Sequence, residues 1–189
     1  MSDKHHYSDL ISLFARCFYD EFNTRLVCGN DEPYYQPATS EQDHHRIVFA
    51  HGFFASALHE IAHWCIAGER RRQLFDYGYW YEPDGRTAQQ QAEFERVEHK
   101  PQALEWLFSL CAGVPFQVSV DNLGGIEVDR EAFTKAVQQQ LATYIINGLP
   151  RRAEVFARAL AQFYRQPWPA ALILSWNNSQ QTKEVTYEN

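Results

Sequence analysis

The chain is poor in the residues that mark several common protein classes. It has one methionine and only four cysteines, Cys17, Cys28, Cys65 and Cys111. None of these forms a Cys-x-x-Cys pair, which argues against a zinc knuckle and against a disulfide framework; reduced thiols are expected. No apolar run approaches the roughly 20 residues of a membrane-spanning helix. The first residues, Met-Ser-Asp-Lys-His-His, lack an apolar signal core, so the expected location is cytoplasmic. Positive charge is scarce, with 17 Lys and Arg against 24 Asp and Glu and a net charge of −7. That balance argues against a dedicated DNA-backbone binder, which carries a basic field. There is no internal repeat and no Gly/Pro/Ser-rich linker, so a single domain is expected over residues 1–174, followed by a polar, disordered tail over 175–189.

What is present is core material. Hydrophobic residues make up 45% of the chain and aromatic residues 15%, which excludes wholesale disorder. Leu10, Ile11, Phe14, Cys17 and Phe18 recur at helical spacing and predict a first helix over 8–22, capped by Ser8. Short β-prone segments follow at 24–28 and 47–50. A second helix is predicted over 53–67, with Gly68 as its stop and Arg70–Arg72 as cations suited to its C-terminal end. Residues 75–81 read as extended. Thr87 and Gln90 form a capping-box pattern for a third helix running to about Glu98, where Pro101 must kink it or open a new one. A strand is expected over 116–120, then helices from Asp129 to about Asn147 and from about Arg152 to Arg165. The two histidines at 5 and 6 fall in a terminus expected to be mobile. The fold class is α+β, helix-rich, with a small sheet.

One segment carries chemistry: His59-Glu60-Ile61-Ala62-His63, an HExxH motif. On a helix, residues i and i+4 share a face about 6 Å apart along the axis, so His59 and His63 can reach one metal ion. Glu60 is rotated by about 100° from His59 and suits a catalytic base or proton carrier beside the metal. The motif needs at least one more donor. A three-histidine site would require Gly at 66 and His at 69, where this chain has Ile66 and Glu69. A carboxylate from a second helix remains, and Glu98 fits best; Glu69, Glu93, Glu95, His99 and Asp84 compete. Two histidines and one carboxylate serve a zinc hydrolase, with Glu60 as base, or a non-haem Fe(II) oxygenase. The His-x-Asp/Glu triplet of the commonest Fe(II) oxygenases is absent, and a jelly roll is not supported.

The stretch RIVFAHGFFASALHEIAHWCIAGERRRQLFDYGYWYEPDGR, with FERVEHKPQALEW and PFQVSVDNL after it, resembles the elongation factor P hydroxylase family. The similarity begins in the first helix and reaches about residue 170. The resemblance implies an enzyme that hydroxylates a β-lysylated lysine of elongation factor P, a bacterial translation factor, using Fe(II) and dioxygen. It implies a fold like that of the metal-dependent endoribonucleases of the YbeY type. It implies His59, His63 and Glu98 as the metal ligands and leaves the role of Glu60 open. A substrate arm bearing ammonium groups calls for nearby carboxylates, for which Asp76, Glu82 and Asp84 are candidates. Phe53, Phe54, Trp64, Tyr79, Trp80 and Tyr81 could wall the site from water. The Arg70–Arg72 run could touch a protein partner. The alternatives are a zinc-dependent metallopeptidase or other hydrolase, a metal-dependent ribonuclease, which the acidic charge disfavours, and a metal-stabilised binding module.

Overall fold

Leu10, Leu13, Phe14 and Phe18 form the buried stripe of α1 (Tyr7–Phe22) in the computed structural model, which describes residues 5–76, 85–120, 122–123 and 125–175. The helix begins without a side-chain cap, one residue before Ser8. Its end at Asn23 is left-handed (φ 46°), turning the chain into β1 (Thr24–Gly29). Two further strands follow, β2 (Tyr34–Gln36) and β3 (His45–Ala50), in the order β1-β3-β2. The central strand β3 pairs parallel with β1, Leu26 opposite Ile47, and antiparallel with β2, Tyr35 opposite Ile47. The strand at Tyr34–Gln36 was not expected between Pro33 and Pro37. It is the last strand of the described sheet. On its outer side Tyr35 exchanges backbone hydrogen bonds with Asp76, and both prolines fall outside the three paired residues, where proline is tolerated.

A sharp turn feeds β3 into α2 (Phe54–Ile66). Gly52 sits there at φ +70°, where a Cβ would meet the Tyr7 ring at 3.1 Å, so only glycine fits comfortably. The Ser56 hydroxyl accepts from the Ala50 N–H at 3.0 Å and ties the helix start to the sheet. At the other end the Gly68 stop is not a left-handed cap: the chain leaves the helix at Ala67 in an extended conformation. Two cations close that end instead. Arg152 Nη2 donates to the carbonyls of Trp64, Cys65 and Ala67, and Arg72 Nη1 also donates to Ala67. Both place positive charge where the helix dipole is negative.

Thr87 and Gln90 do form a capping box, opening α3 (Ala88–Ala112). This helix passes straight through Pro101. The missing N–H there forfeits the bond to the Val97 carbonyl, at a cost of about 3 kcal/mol. Packing offsets it: Phe94, Ala103, Leu104, Leu107, Phe108 and Cys111 are buried on both sides of the proline, against α2, α4 (Arg130–Asn147) and α5 (Arg151–Tyr164). Asp129 caps α4 through the Ala132 N–H. The aromatic centre of the core is Trp64, whose ring lies 5.0–5.3 Å from those of Phe14, Phe18 and Phe22. His5 is not loose: its Nε2 lies 2.8 Å from the Ala112 carbonyl and its ring packs against Tyr164. The architecture is thus α+β, helix-rich with a three-stranded sheet and one connected core. The tail over 176–189 lies outside the described residues.

The strand expected over 116–120 is absent. Val118 and Val120 are buried while 117 and 119 are exposed, which is the alternation of a strand, but among the described residues no strand pairs with them. The amide of Gln102 takes that place. Its Oε1 accepts from the Ser119 N–H at 2.9 Å and its Nε2 donates to the Ser119 carbonyl at 2.7 Å. Gln102 is 1% exposed. Gln102→Ala should therefore destabilise the protein by about 1–2 kcal/mol, since two part-buried backbone hydrogen bonds are lost; urea unfolding measures it.

Candidate metal centre

The site is built where α2 crosses α3. Leu58, Ile61, Ala62 and Cys65 bind α2 to the core, which leaves His59 and His63 turned together toward α3. Their Nε2 atoms face each other at 3.0 Å. Glu98 comes from α3 and is 1% exposed. Its Oε1 lies 3.2 Å from His63 Nε2 and its Oε2 3.7 Å from His59 Nε2. One donor atom from each residue falls within 4.8 Å of the others. Among the described residues, no other trio of His, Cys, Asp or Glu side chains converges in this way.

Two further α3 side chains join the site, neither singled out from the sequence. Gln102 Nε2 lies 3.3 Å from Glu98 Oε2 while holding Ser119. Glu105 Oε2 lies 2.8 Å from His59 Nδ1, on the side of the ring away from Glu98. Positions 98, 102 and 105 are spaced i, i+4, i+7, one face of a helix. That polar stripe, interleaved with the buried Ala103, Leu104, Leu107 and Phe108, was the available signal.

The electrostatics follow from burying several carboxylates around two imidazoles. Burial alone would keep His59 neutral, but Glu105, Glu98 and Glu60 outweigh it and push its pKa up to about 10. Burial raises the Glu60 carboxyl above the usual range, while His59 and His63 pull the other way. The local field therefore favours a cation, whether a proton or a metal ion. The donor set, two imidazole nitrogens and a carboxylate, suits Fe(II) or Zn(II).

A cavity of about 340 Å³ opens beside the cluster, lined by Glu60, His63, Trp64, Ile47, Val97 and Pro101 and, toward the surface, by Tyr35, Arg71, Arg72 and Asp76. Glu60 thus faces open space next to a prospective ligand. Asp76 is at this cavity, paired with Arg71 at 2.7 Å. Glu82 and Asp84 lie outside the described residues, as do Tyr79, Trp80 and Tyr81. Of the remaining aromatic candidates, Trp64 lines the cavity, Phe54 packs on His5 and Tyr164, and Phe53 is 62% exposed. The competing ligand candidates are engaged elsewhere or apart from the cluster. Glu69 is exposed, Glu93 pairs with Arg96, Glu95 accepts from Gln91, and His99 meets the Glu95 carbonyl.

Comparison with known proteins bears on this geometry. A family model described as elongation factor P hydroxylase matches residues 13–172. A curated protein of Haemophilus influenzae, named elongation factor P lysine hydroxylase, is 52% identical over 161 residues, covering 85% of this chain and 90% of the relative. The matched span holds all of α2 and α3, and with them His59, His63 and Glu98. The chain belongs to the elongation factor P hydroxylase family.

Proposed function

We propose that this protein hydroxylates the β-lysylated lysine of elongation factor P, with Fe(II) held by His59, His63 and Glu98. The observation that carries the reading is the convergence of these three donors beside a cavity, in a chain of this family. Bound there, Fe(II) with dioxygen supplies the oxidising power to place one oxygen atom in a C–H bond. The reaction also consumes two electrons from a reductant external to the protein, and two protons, as the second oxygen leaves as water. The single catalytic domain would be residues 1–174.

The protein's own groups then have distinct tasks. Ile47, Val97 and Pro101 give the cavity an apolar wall that fits the methylene stem of a lysine arm and limits water. Glu60 has a carboxyl poised by burial to hold or pass a proton at its side-chain oxygen. Asp76 lines the cavity, which supports a role in meeting an ammonium group by exchanging part of its contact with Arg71. Glu82 and Asp84 are further candidates for that role. The partner is the protein substrate, and neither DNA nor a membrane is required; among the described residues no helix is long and apolar enough to cross a membrane. A cytoplasmic location suits a modifier of a translation factor.

The position of Glu60 beside His63 on the cavity wall also favours a second reading, a zinc peptidase with Glu60 as base. The two readings separate cleanly. Fe(II)-loaded protein should add one oxygen mass to β-lysylated elongation factor P in air and none under anaerobic conditions, with the polypeptide left uncleaved, as read by intact mass spectrometry. Cleavage products without an oxygen gain would support the peptidase.

His59→Ala and Glu98→Ala should each lose bound metal, measured by elemental analysis after desalting, and lose the oxygen gain by at least about a hundredfold, since such a site works only with its ligands in place. Glu60→Gln should keep the metal. A hydroxylase that uses Glu60 only for proton handling should slow by about 10²–10⁴-fold, measured as single-turnover rate.

A further inference from the structure

We infer that Glu105 is a positioning residue for His59, and that it makes the two histidines unequal, one a fixed ligand and the other an adjustable one. The inference rests on the reading of His59, His63 and Glu98 as a metal site. Its basis is geometric. Glu105 is 9% exposed and sits two helical turns beyond Glu98 on α3. Its Oε2 is 2.8 Å from His59 Nδ1, while His59 Nε2 looks the other way, toward His63 and Glu98.

A carboxylate at that distance accepts the Nδ1–H. With a metal in place of the Nε2 proton, the remaining proton stays on Nδ1 and the Nε2 lone pair is aimed at the donor cluster. This also fixes the ring about its outer torsion, which is otherwise soft. Carboxylate–histidine–metal arrangements work in this way: the outer carboxylate sets tautomer and orientation and makes the imidazole a stronger donor.

His63 differs. Among the described residues its Nδ1 has no hydrogen-bond partner, and the ring lines the cavity. It faces the space a substrate would enter. The same helix α3 thus supplies both a direct carboxylate, Glu98, and a supporting one, Glu105, with Gln102 between them on the same face. Because both come from one rigid element, the spacing between the His59 ring and the Glu98 oxygens is set by α3 itself.

The test uses the full-length protein and cobalt(II) alone, followed by its visible absorption, so that binding is read without turnover. Glu105→Ala should raise the cobalt dissociation constant by about 10–100-fold. Glu105→Gln, whose amide oxygen can accept the same N–H, should recover most of that loss. In zinc-loaded, ¹⁵N-labelled protein, the His59 Nδ1–H should give a resolved signal protected from exchange with water in the wild type and in Glu105→Gln, and that protection should be lost in Glu105→Ala. Thermal melts of the metal-free proteins establish folding. If Glu105→Ala fails to fold, Glu105→Leu, which fills similar space without an acceptor, takes its place in both measurements.

Wild-type cobalt affinity in folded Glu105→Ala or Glu105→Leu, or a His59 Nδ1–H equally protected in those variants, overturns the inference and leaves the metal site standing. Failure of the wild type itself to bind cobalt, with neither His59 nor Glu98 altering the titration, removes the metal site and the inference together.

Discussion

Helix α3 buries two carboxylates, Glu98 and Glu105, against the histidine face of α2. Isolated ions in a protein interior cost several kcal/mol each unless matched by opposite charge and hydrogen bonds. That constraint governs the centre of the molecule. His59 lies between the two carboxylates, one at each ring nitrogen, and its elevated pKa records the charge they impose. A cation at the cluster would relieve the same imbalance with a higher charge and fixed geometry. Stability and chemistry thus share one requirement, the close approach of α2 to α3.

The rest of the fold keeps that approach in register. Gly52 and Ser56 fix where α2 starts relative to the sheet, and Arg152 and Arg72 fix where it ends. Trp64, between the two histidine-bearing turns and the cation-capped end, fills the space toward α1. The helix carrying HExxH is held at both termini and along its inner face, and only the face toward α3 is left for function. Rigid support of this kind matters because ligand geometry has little tolerance for drift.

Much of this was legible in the residues. HExxH, the Thr87–Gln90 capping box and the apolar periodicity of α1 and α2 are local patterns, and local patterns survive into structure. Glu98 could be chosen as a site candidate because it was read as ending the Thr87-capped helix, beside Val97 and before the break expected at Pro101, although the helix in fact continues to Ala112. Glu105 and Gln102 were missed because their roles depend on which face of α3 meets α2, a tertiary fact that spacing suggests only once α3 is known to continue through Pro101. The strand expected at 116–120 failed for a related reason. Alternating burial reports that one side of a segment is covered, not what covers it, and here a side-chain amide stands in for a neighbouring strand. The expectations for Glu82, Asp84 and Tyr79–Tyr81 concern residues outside those described.

That amide has an evolutionary consequence. Gln102 grips Ser119 through the main chain alone, so it is blind to the side chain at 119 short of proline, which lacks the N–H. Drift at 117 and 119, whose side chains point outward, leaves the grip intact, while drift at 102 dissolves it from the other end. Variation should therefore pool on one side of the contact and be purged from the other. A reader of related sequences would see a permissive segment opposite an unyielding glutamine, with no hint in the segment itself of why the glutamine stays.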